Sequence, residues 1–212
     1  MLRLASLALA LAAPPFHYAI QPVPAQVRSE IVSAGLYRAA CPVTFRQLRM
    51  LTVSHWDFDG VTATGQLVVN RSAAVPLAAV FRKLYAMHFP LRHMQLADAY
   101  GPSRLRPADG DVSDAFECRQ AVPSPCSGGS GTGHWSEHAY GLAVDLNPIE
   151  NPYVGCGQTR QRASIPYLNR SRLRPGMVTP KVVGAFRSIG WGWGGSWNGS
   201  TKDYMHFSAS GH

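Results

Sequence analysis

The chain has 212 residues, 46% of them hydrophobic, which is enough for one well-buried core, and its length favours a single domain. Lysine and arginine outnumber aspartate and glutamate by 20 to 12, so the formal charge is +8 and polyanions are the expected partners. The basic residues are scattered rather than gathered into a block, which argues against a nucleic-acid partner. We take the charge to indicate a general attraction to an anionic envelope, through anionic lipid or through the polymers of an anionic cell wall. We also expect a monomer.

The N-terminus has the pattern of a secretory signal peptide. In residues 1–13, Arg3 precedes a short apolar run that ends in small residues such as Ala10. The run is too short for a comfortable transmembrane span, although a helix of the fold or a membrane anchor would have a similar sequence. We expect export and no stable membrane span after cleavage. Residues 14–40 are expected to be a linker and entry segment, with a mildly helical pattern around residues 27–36, and residues 41–212 a single domain.

Four cysteines in an exported chain predict two disulfides, for which three pairings are possible. Their positions in loops favour Cys126–Cys156 together with Cys41–Cys118, while a bond between Cys118 and Cys126 is the simplest alternative. The sequence has no C-x-x-C pair, so a zinc site built on paired cysteines is not expected.

Hydrophobic periodicity and turn residues predict a mixture of short strands and helices. In chain order, the predicted elements are a strand within 42–57, a turn at 57–60, a hairpin strand at 65–70, a helix over 72–89, a strand over 91–100, a polar loop over 101–113, a flexible Gly/Ser/Pro loop over 120–132 and a buried strand over 142–146. Later, Thr179 and Pro180 predict the start of a helix that ends at Gly190, and residues 203–207 alternate as in a strand.

An imidazole and a carboxylate flank the start and end of one short segment, at His138 and Asp145. Asp145 lies in the apolar run 142–146, where a carboxylate is costly unless something neutralises it. A metal ion would do so, and histidine and aspartate are ordinary zinc ligands. The structural alternative is a core aspartate that is satisfied by backbone amides.

His206 is the best candidate for a third ligand. It lies between Met205 and Phe207, follows a segment rich in glycine and tryptophan, and has Asp203 three residues upstream. A catalytic zinc has three protein ligands and activates a water molecule, whose proton a nearby carboxylate must accept. Asp203 fits this role, and Glu137 is the alternative.

Three motifs occur together: Ser136-x-His138-x-x-Gly141-x-Ala143-x-Asp145, Trp193-Gly194-Gly195-x-Trp197 and Asp203-x-x-His206-Phe207. This combination resembles the D-alanyl-D-alanine carboxypeptidase family of zinc metallopeptidases, which includes VanY- and VanX-type enzymes and the L-alanyl-D-glutamate endopeptidases of phage endolysins. The similarity extends upstream through 115–119 and 65–70 to about residue 41.

The resemblance implies an α+β fold of the Hedgehog/DD-peptidase-like type, in which helices pack on a small, mainly antiparallel sheet that carries the metal ligands. It implies that His138, Asp145 and His206 bind zinc and that Asp203 is the general base and acid.

The resemblance also assigns roles in substrate binding. Arg119 matches the arginine that the family places against the substrate carbonyl, where it stabilises the developing oxyanion. Ser136 matches a position near the ligands and has a supporting role, and Trp197 lines the cleft or belongs to the core. Two departures concern substrate preference: Glu117 replaces a frequent asparagine, and the loop that contains Cys126 looks like an insertion.

The sequence therefore predicts an exported zinc peptidase that hydrolyses the stem peptides of peptidoglycan through a zinc-activated water. The bond is of the D-Ala-D-Ala carboxypeptidase type or of the L-Ala-D-Glu endopeptidase type, and the sequence does not separate them. The alternative is a non-catalytic, zinc-containing module of the same fold that binds the cell wall or signals. The presence of both Asp203 and Arg119 argues against this alternative, because a binding module needs neither.

Overall fold

The computed structural model describes residues 14–95, 109–127 and 131–212 of the chain. The expected signal peptide lies outside the described residues, as do residues 96–100 of the strand that was expected up to residue 100. None of the helices in the described ranges has the length and apolarity that a membrane crossing requires.

The described residues form an α+β fold, as the resemblance implied, in which the regular elements are short. The helices are α1 (Ala25–Ser33), α2 (Arg71–Ala86) and α3 (Pro180–Arg187). The strands are β1 (Tyr18–Pro22), β2 (Leu48–Trp56), β3 (Thr62–Asn70), β4 (His93–Met94), β5 (Val112–Ser113), β6 (Ala143–Asp145), β7 (Tyr153–Gly155), β8 (Gln158–Thr159), β9 (Gly192–Trp193), β10 (Lys202–Asp203) and β11 (His206–Ser208). The chain also makes 3-10 turns at Phe45–Gln47, Glu137–Tyr140, Arg162–Tyr167 and Gly194–Ser196.

The predicted hairpin is the longest sheet element, and it pairs β2 with β3 in antiparallel register from Leu48 opposite Asn70 to Trp56 opposite Thr62. The turn between the strands forms because the Asp57 carboxylate accepts hydrogen bonds from two backbone N–H groups, two and four residues further on. This confirms the predicted turn. The rest of the core packs against this hairpin.

Helix α2 packs on this sheet and confirms the helix expected over 72–89. The Asn70 side chain caps its first turn by accepting from the backbone N–H of Ser72 at 3.1 Å. Its apolar face, which includes Leu77, Phe81 and Leu84, is almost completely buried. These side chains belong to one hydrophobic cluster that also contains residues of β6, β11 and α3, so the hairpin and the site share a core.

The sheet that carries the candidate ligands is small and antiparallel, with the strand order β6-β11-β9. Phe207 on the central strand stacks on Phe186 of α3, with ring centroids 3.9 Å apart. Helix α3 begins as predicted, because the Thr179 hydroxyl accepts from the backbone N–H of Val182 at 3.4 Å. The helix therefore fixes the strand on which His206 lies.

Both favoured disulfides are present, Cys41–Cys118 and Cys126–Cys156. The first ties the N-terminal region to the segment that leads to Arg119. The second ties a loop to the turn between β7 and β8, in a further sheet with the order β10-β7-β8. The two bonds hold the segments on either side of the candidate site.

Residues 14–40 were expected to be a linker and entry segment, and they contribute regular structure to the fold. Strand β1 pairs with β2, with Ile20 opposite Leu51, and becomes the edge of the first sheet. Helix α1 buries Ile31 in a second, smaller hydrophobic cluster that also contains Phe116 and Cys118. The helical pattern seen in this region is confirmed, whereas a linker is not a sufficient description of it.

Candidate metal centre and active site

The motif around His138 forms a 3-10 turn that leads into strand β6. The Ser136 hydroxyl caps this turn by accepting from the backbone N–H of His138 at 3.3 Å. Gly141 ends the turn with a φ of 65°, and a Cβ at this position would lie 2.6 Å from the backbone nitrogen of Asn70. Only glycine therefore permits the close approach that brings His138 and Asp145 to one side of the hairpin.

The structure brings the three predicted ligands, His138, Asp145 and His206, into one buried cluster. The Nε2 atom of His138 lies 3.2 Å from Nδ1 of His206 and 3.3 Å from Oδ1 of Asp145. The same Oδ1 atom lies 3.1 Å from Nδ1 of His206. Two imidazole nitrogens and one carboxylate oxygen thus form a nearly equilateral triangle.

This triangle fits a tetrahedral zinc ion. Ligand atoms about 2.0–2.1 Å from a tetrahedral zinc are separated from each other by about 3.3–3.4 Å. The measured separations of 3.1–3.3 Å are close to that value without any rearrangement of the side chains. Two neutral imidazoles and one carboxylate are also a donor set that zinc accepts.

Backbone carbonyl groups orient both imidazoles. Nδ1 of His138 donates to the carbonyl of Ala115, which leaves Nε2 for the cluster. Nε2 of His206 lies 3.4 Å from the carbonyl of His212, which leaves Nδ1 for the cluster. The C-terminal segment that supplies this carbonyl is held by Trp197, whose indole N–H donates to Gly211 at 2.6 Å. Such outer partners fix the tautomer of a metal-binding histidine.

Without a metal ion the cluster behaves as a buried ion pair. Burial lowers the pKa of His138, but the charge and hydrogen bond of Asp145 outweigh burial and raise it to about 9. Burial alone would raise the pKa of Asp145, whereas His138 and His206 hold it well below its usual range. A metal cation that binds this site would therefore displace the proton of His138.

Asp203 faces the cluster from strand β10, which pairs with β7 so that Asp203 lies opposite Tyr153. Its Oδ1 atom is buried and has no hydrogen-bond partner within the described ranges. Burial and then the Asp145 charge raise the pKa of Asp203 to about 7. The close approach needs Gly194, where a Cβ would lie 2.5 Å from the Asp203 carbonyl oxygen. A buried oxygen without a partner is unusual, and here it belongs to a residue that lines the same cavity as the cluster.

Arg119 reaches the same cavity from the segment that follows Cys118. Its Nε atom donates to Oε2 of Glu117 at 2.6 Å, and Glu117 is itself mostly buried. Glu117 therefore holds the arginine in place. The backbone carbonyl of Arg119 accepts from the N–H of Ser136 at 3.1 Å, which fixes this segment beside the His138 turn.

Ser136, Glu137 and Trp197 line the cavity as well, so the structure gathers the predicted metal ligands, both candidate bases and the predicted substrate-binding residues around one space. The hydroxyl of Ser136 is occupied as a cap, which supports a positioning role. The Trp197 ring lies 5.8 Å from the His206 ring, measured between centroids. It forms a wall of the cavity and is only partly buried.

The cavity has a volume of about 570 Å³ and is lined by apolar surface around the charged groups. Beyond the cluster, its lining includes residues from three further segments. They are Ala121, Val122 and Pro125 from the disulfide-bonded loop, Tyr153, Arg160 and Gln161 from the β7–β8 region, and Ser210 and His212 from the C-terminal segment. A space of this size accommodates a short peptide.

Sequence reasoning missed Asp114, which is buried and forms a backbone bridge with Asp145 through two hydrogen bonds of 2.9 and 3.1 Å. Burial and the Asp145 charge raise the pKa of Asp114 to about 7. The signal was present, because Asp114 precedes the apolar pair Ala115-Phe116 just as Asp145 lies in an apolar run. No comparable signal marks Arg160 or His212, whose positions depend on long-range contacts.

The D-alanyl-D-alanine carboxypeptidase family model matches residues 130–209. This segment carries His138, Asp145, Asp203 and His206, whereas Arg119 precedes it. The match confirms the resemblance to this family and indicates a peptidase. No curated protein and no solved structure matched the chain.

Proposed function

We propose that this protein is an exported zinc metallopeptidase that hydrolyses peptidoglycan stem peptides. The observation that carries the proposal is the triangle of His138, Asp145 and His206, with separations that suit zinc and with Asp203 lining the same cavity. When bound, zinc would polarise the scissile carbonyl and lower the pKa of water to about 7.

Asp203 acts as the general base and acid. Its carboxylate accepts a proton from the attacking water and later gives it to the leaving amine. The unpartnered Oδ1 atom is free of competing hydrogen bonds within the described ranges, so it is available for this proton. Because the Asp145 charge contributes to the raised pKa of Asp203, a cation in the cluster would lower that pKa and favour the ionised form at neutral pH.

Arg119 stabilises the negative charge that develops on the carbonyl oxygen. The Glu117 carboxylate holds its Nε atom, which fixes the orientation of the guanidinium toward the cavity. A donor that is already oriented needs no reorganisation when the charge develops. Ser136 supports the site by capping the turn that carries His138.

Three further features support the cell wall as the place of action. Two disulfides are typical of proteins in oxidising compartments outside the cytoplasm. The formal charge of +8 favours association with anionic wall polymers. The family match, finally, bears the name of an enzyme that acts on D-alanyl-D-alanine.

Digestion of purified peptidoglycan, followed by mass spectrometry of the soluble muropeptides, tests this proposal. We expect shortened stem peptides, no products after treatment with a chelator, and recovery of activity with added zinc. Intact muropeptides in the presence of zinc would contradict the peptidase assignment. If the protein then still sedimented with the insoluble wall, the non-catalytic binding module would be the better description.

A further inference from the structure

Arg160 is a cation in the cavity, and it has no role in the proposed reaction. It follows strand β8 directly, it is exposed, and it lines the same cavity as the cluster and Arg119. Within the described ranges, no carboxylate lies within 4 Å of its guanidinium, in contrast to Arg119, which pairs with Glu117 at 2.6 Å. Its charge is therefore not neutralised by another side chain of the site.

The Arg160 side chain is nevertheless held in place. Its Nη2 atom lies 3.4 Å from each of three backbone carbonyl oxygens, those of Pro123, Ser124 and Ser127. These residues belong to residues 121–127, which we call the clamped loop. Long contacts to neutral carbonyl groups position a guanidinium but leave its charge available to an anion.

The clamped loop is itself fixed to the rest of the fold. The Cys126–Cys156 disulfide joins it to the turn after β7, and the Tyr153 hydroxyl donates to the carbonyl of Val122 at 3.2 Å. The hydroxyl groups of Ser124 and Thr201 share a hydrogen bond of 2.7 Å. The loop therefore forms a fixed wall of the cavity and holds Arg160 in a defined position.

Arg160 also lies on the side of the cavity that contains the reacting groups. In the sheet with the order β10-β7-β8, Asp203 on β10 lies opposite Tyr153 on β7, and Thr159 on β8 lies opposite Val154 on β7. Arg160 follows Thr159 directly. One strand therefore lies between the candidate base and the unneutralised cation.

We propose that Arg160 binds the carboxylate of the residue that leaves, which in the removal of a terminal D-Ala is the C-terminal carboxylate of the peptide. The proposal rests on the proposed peptidase function. In a carboxypeptidase substrate, the terminal carboxylate is one residue beyond the scissile carbonyl, so its recognition needs a second cation in the same cavity as the metal centre. An internal bond would place neutral backbone beside Arg160 unless the leaving residue carries its own carboxylate, as a γ-linked D-Glu does, so Arg160 recognises the anion and not the position of the bond.

Two acyl-D-Ala-D-Ala peptides that differ only at the C-terminus test the proposal, one with a free carboxylate and one with a carboxamide. We expect the zinc-loaded wild-type protein to cleave the carboxylate peptide with a kcat/KM about ten- to hundredfold higher than that of the carboxamide, as for a charged hydrogen bond. Arg160→Gln should lose this preference, mainly through a higher KM for the carboxylate peptide. Arg160→Lys should regain part of it.

Arg162→Gln is the matched control, because it makes the same change of charge two residues further on, at an exposed arginine that is not among the residues lining the cavity. It should leave the ratio of the two peptides as in the wild-type protein. Equal cleavage of both peptides by the wild-type protein, or an equal loss for both in Arg160→Gln, would overturn the role of Arg160. Internal cleavage of peptidoglycan by a protein that ignores the carboxylate would overturn this inference alone, whereas absence of zinc and of all cleavage would overturn the proposed function.

Discussion

Nδ1 of His206 lies 3.1 Å from Oδ1 of Asp145, because the two residues are opposite each other across the antiparallel β6–β11 pair. The pairing brings together side chains that are 61 positions apart in the sequence. A slip of one residue in this register would turn His206 to the other face of the sheet. Phe207, stacked on Phe186 in the core, prevents such a slip and so secures the site.

Asp203→Asn should separate metal binding from catalysis. The substitution keeps the shape of the side chain and removes its ability to accept a proton, so we expect full zinc content and a kcat lower by about 10²–10⁴-fold. Glu137→Gln, in the alternative base, should change kcat less than about tenfold. Steady-state kinetics of both zinc-loaded variants distinguish the two candidate bases. A larger loss of kcat in Glu137→Gln than in Asp203→Asn would assign the base to Glu137.

Glu150 should make the stability of the protein depend on pH. Its Oε1 atom accepts from Arg92 at 3.2 Å, but its Oε2 atom is buried without a hydrogen-bond partner within the described ranges. Burial, followed by the neighbouring Asp111, raises the pKa of Glu150 from 4.5 to about 7. Because the folded state binds the proton more tightly, its stability falls as pH rises between these two values, by about 3 kcal/mol in total.

Denaturant unfolding of the zinc-saturated wild-type protein and of Glu150→Gln, at about pH 5 and about pH 8, checks this expectation. The glutamine cannot ionise, so the free energy of unfolding of the variant should gain about 2–3 kcal/mol relative to the wild type as the pH is raised. Taking the difference between the two proteins cancels the titration of groups that do not interact with Glu150. A difference that is the same at both pH values would show that Glu150 ionises normally.

The two disulfides should differ in their contribution to stability. Cys41–Cys118 spans 77 residues and lies beside the smaller hydrophobic cluster, whereas Cys126–Cys156 spans 30 residues on the surface. From the loop entropy alone, we expect losses of about 4–5 kcal/mol for Cys41→Ala/Cys118→Ala and about 3–4 kcal/mol for Cys126→Ala/Cys156→Ala. Denaturant midpoints measured in parallel test the order, and a larger loss for the second pair would contradict it.

The sequence was sufficient for those parts of the site that a short motif encodes. Gly141 and Asp145 follow His138 closely, so local geometry brings two of the three cluster residues together, and the polar residue within an apolar run is visible without a structure. The fold class and the disulfide pairs could also be predicted. Asp114 was missed although the same buried-charge argument applies to it.

Other features could not be predicted, because they depend on tertiary contacts rather than on local pattern. Strand β1 is mostly exposed and contains Pro22, so it has neither the alternation nor the composition of a typical strand, and its pairing with β2 creates it. The places of Arg160 and His212 in the cavity depend on the clamped loop and on Trp197. Neither the contacts of Arg160 with the loop nor the contact of Trp197 with the C-terminal segment can be predicted from the spacing of residues along the chain.

The zinc content of the purified protein, measured by elemental analysis, tests the metal centre most directly. The wild-type protein should contain about one zinc ion per chain, as expected for a three-ligand site. His206→Ala and Asp145→Ala should fold, as circular dichroism can verify, and hold less than about a tenth of that zinc. His17→Ala, at an exposed histidine ahead of β1, should keep all of it. A wild-type protein that cleaves peptidoglycan without zinc, or a His206→Ala variant with full zinc content, would contradict the assignment of this cluster as the metal centre.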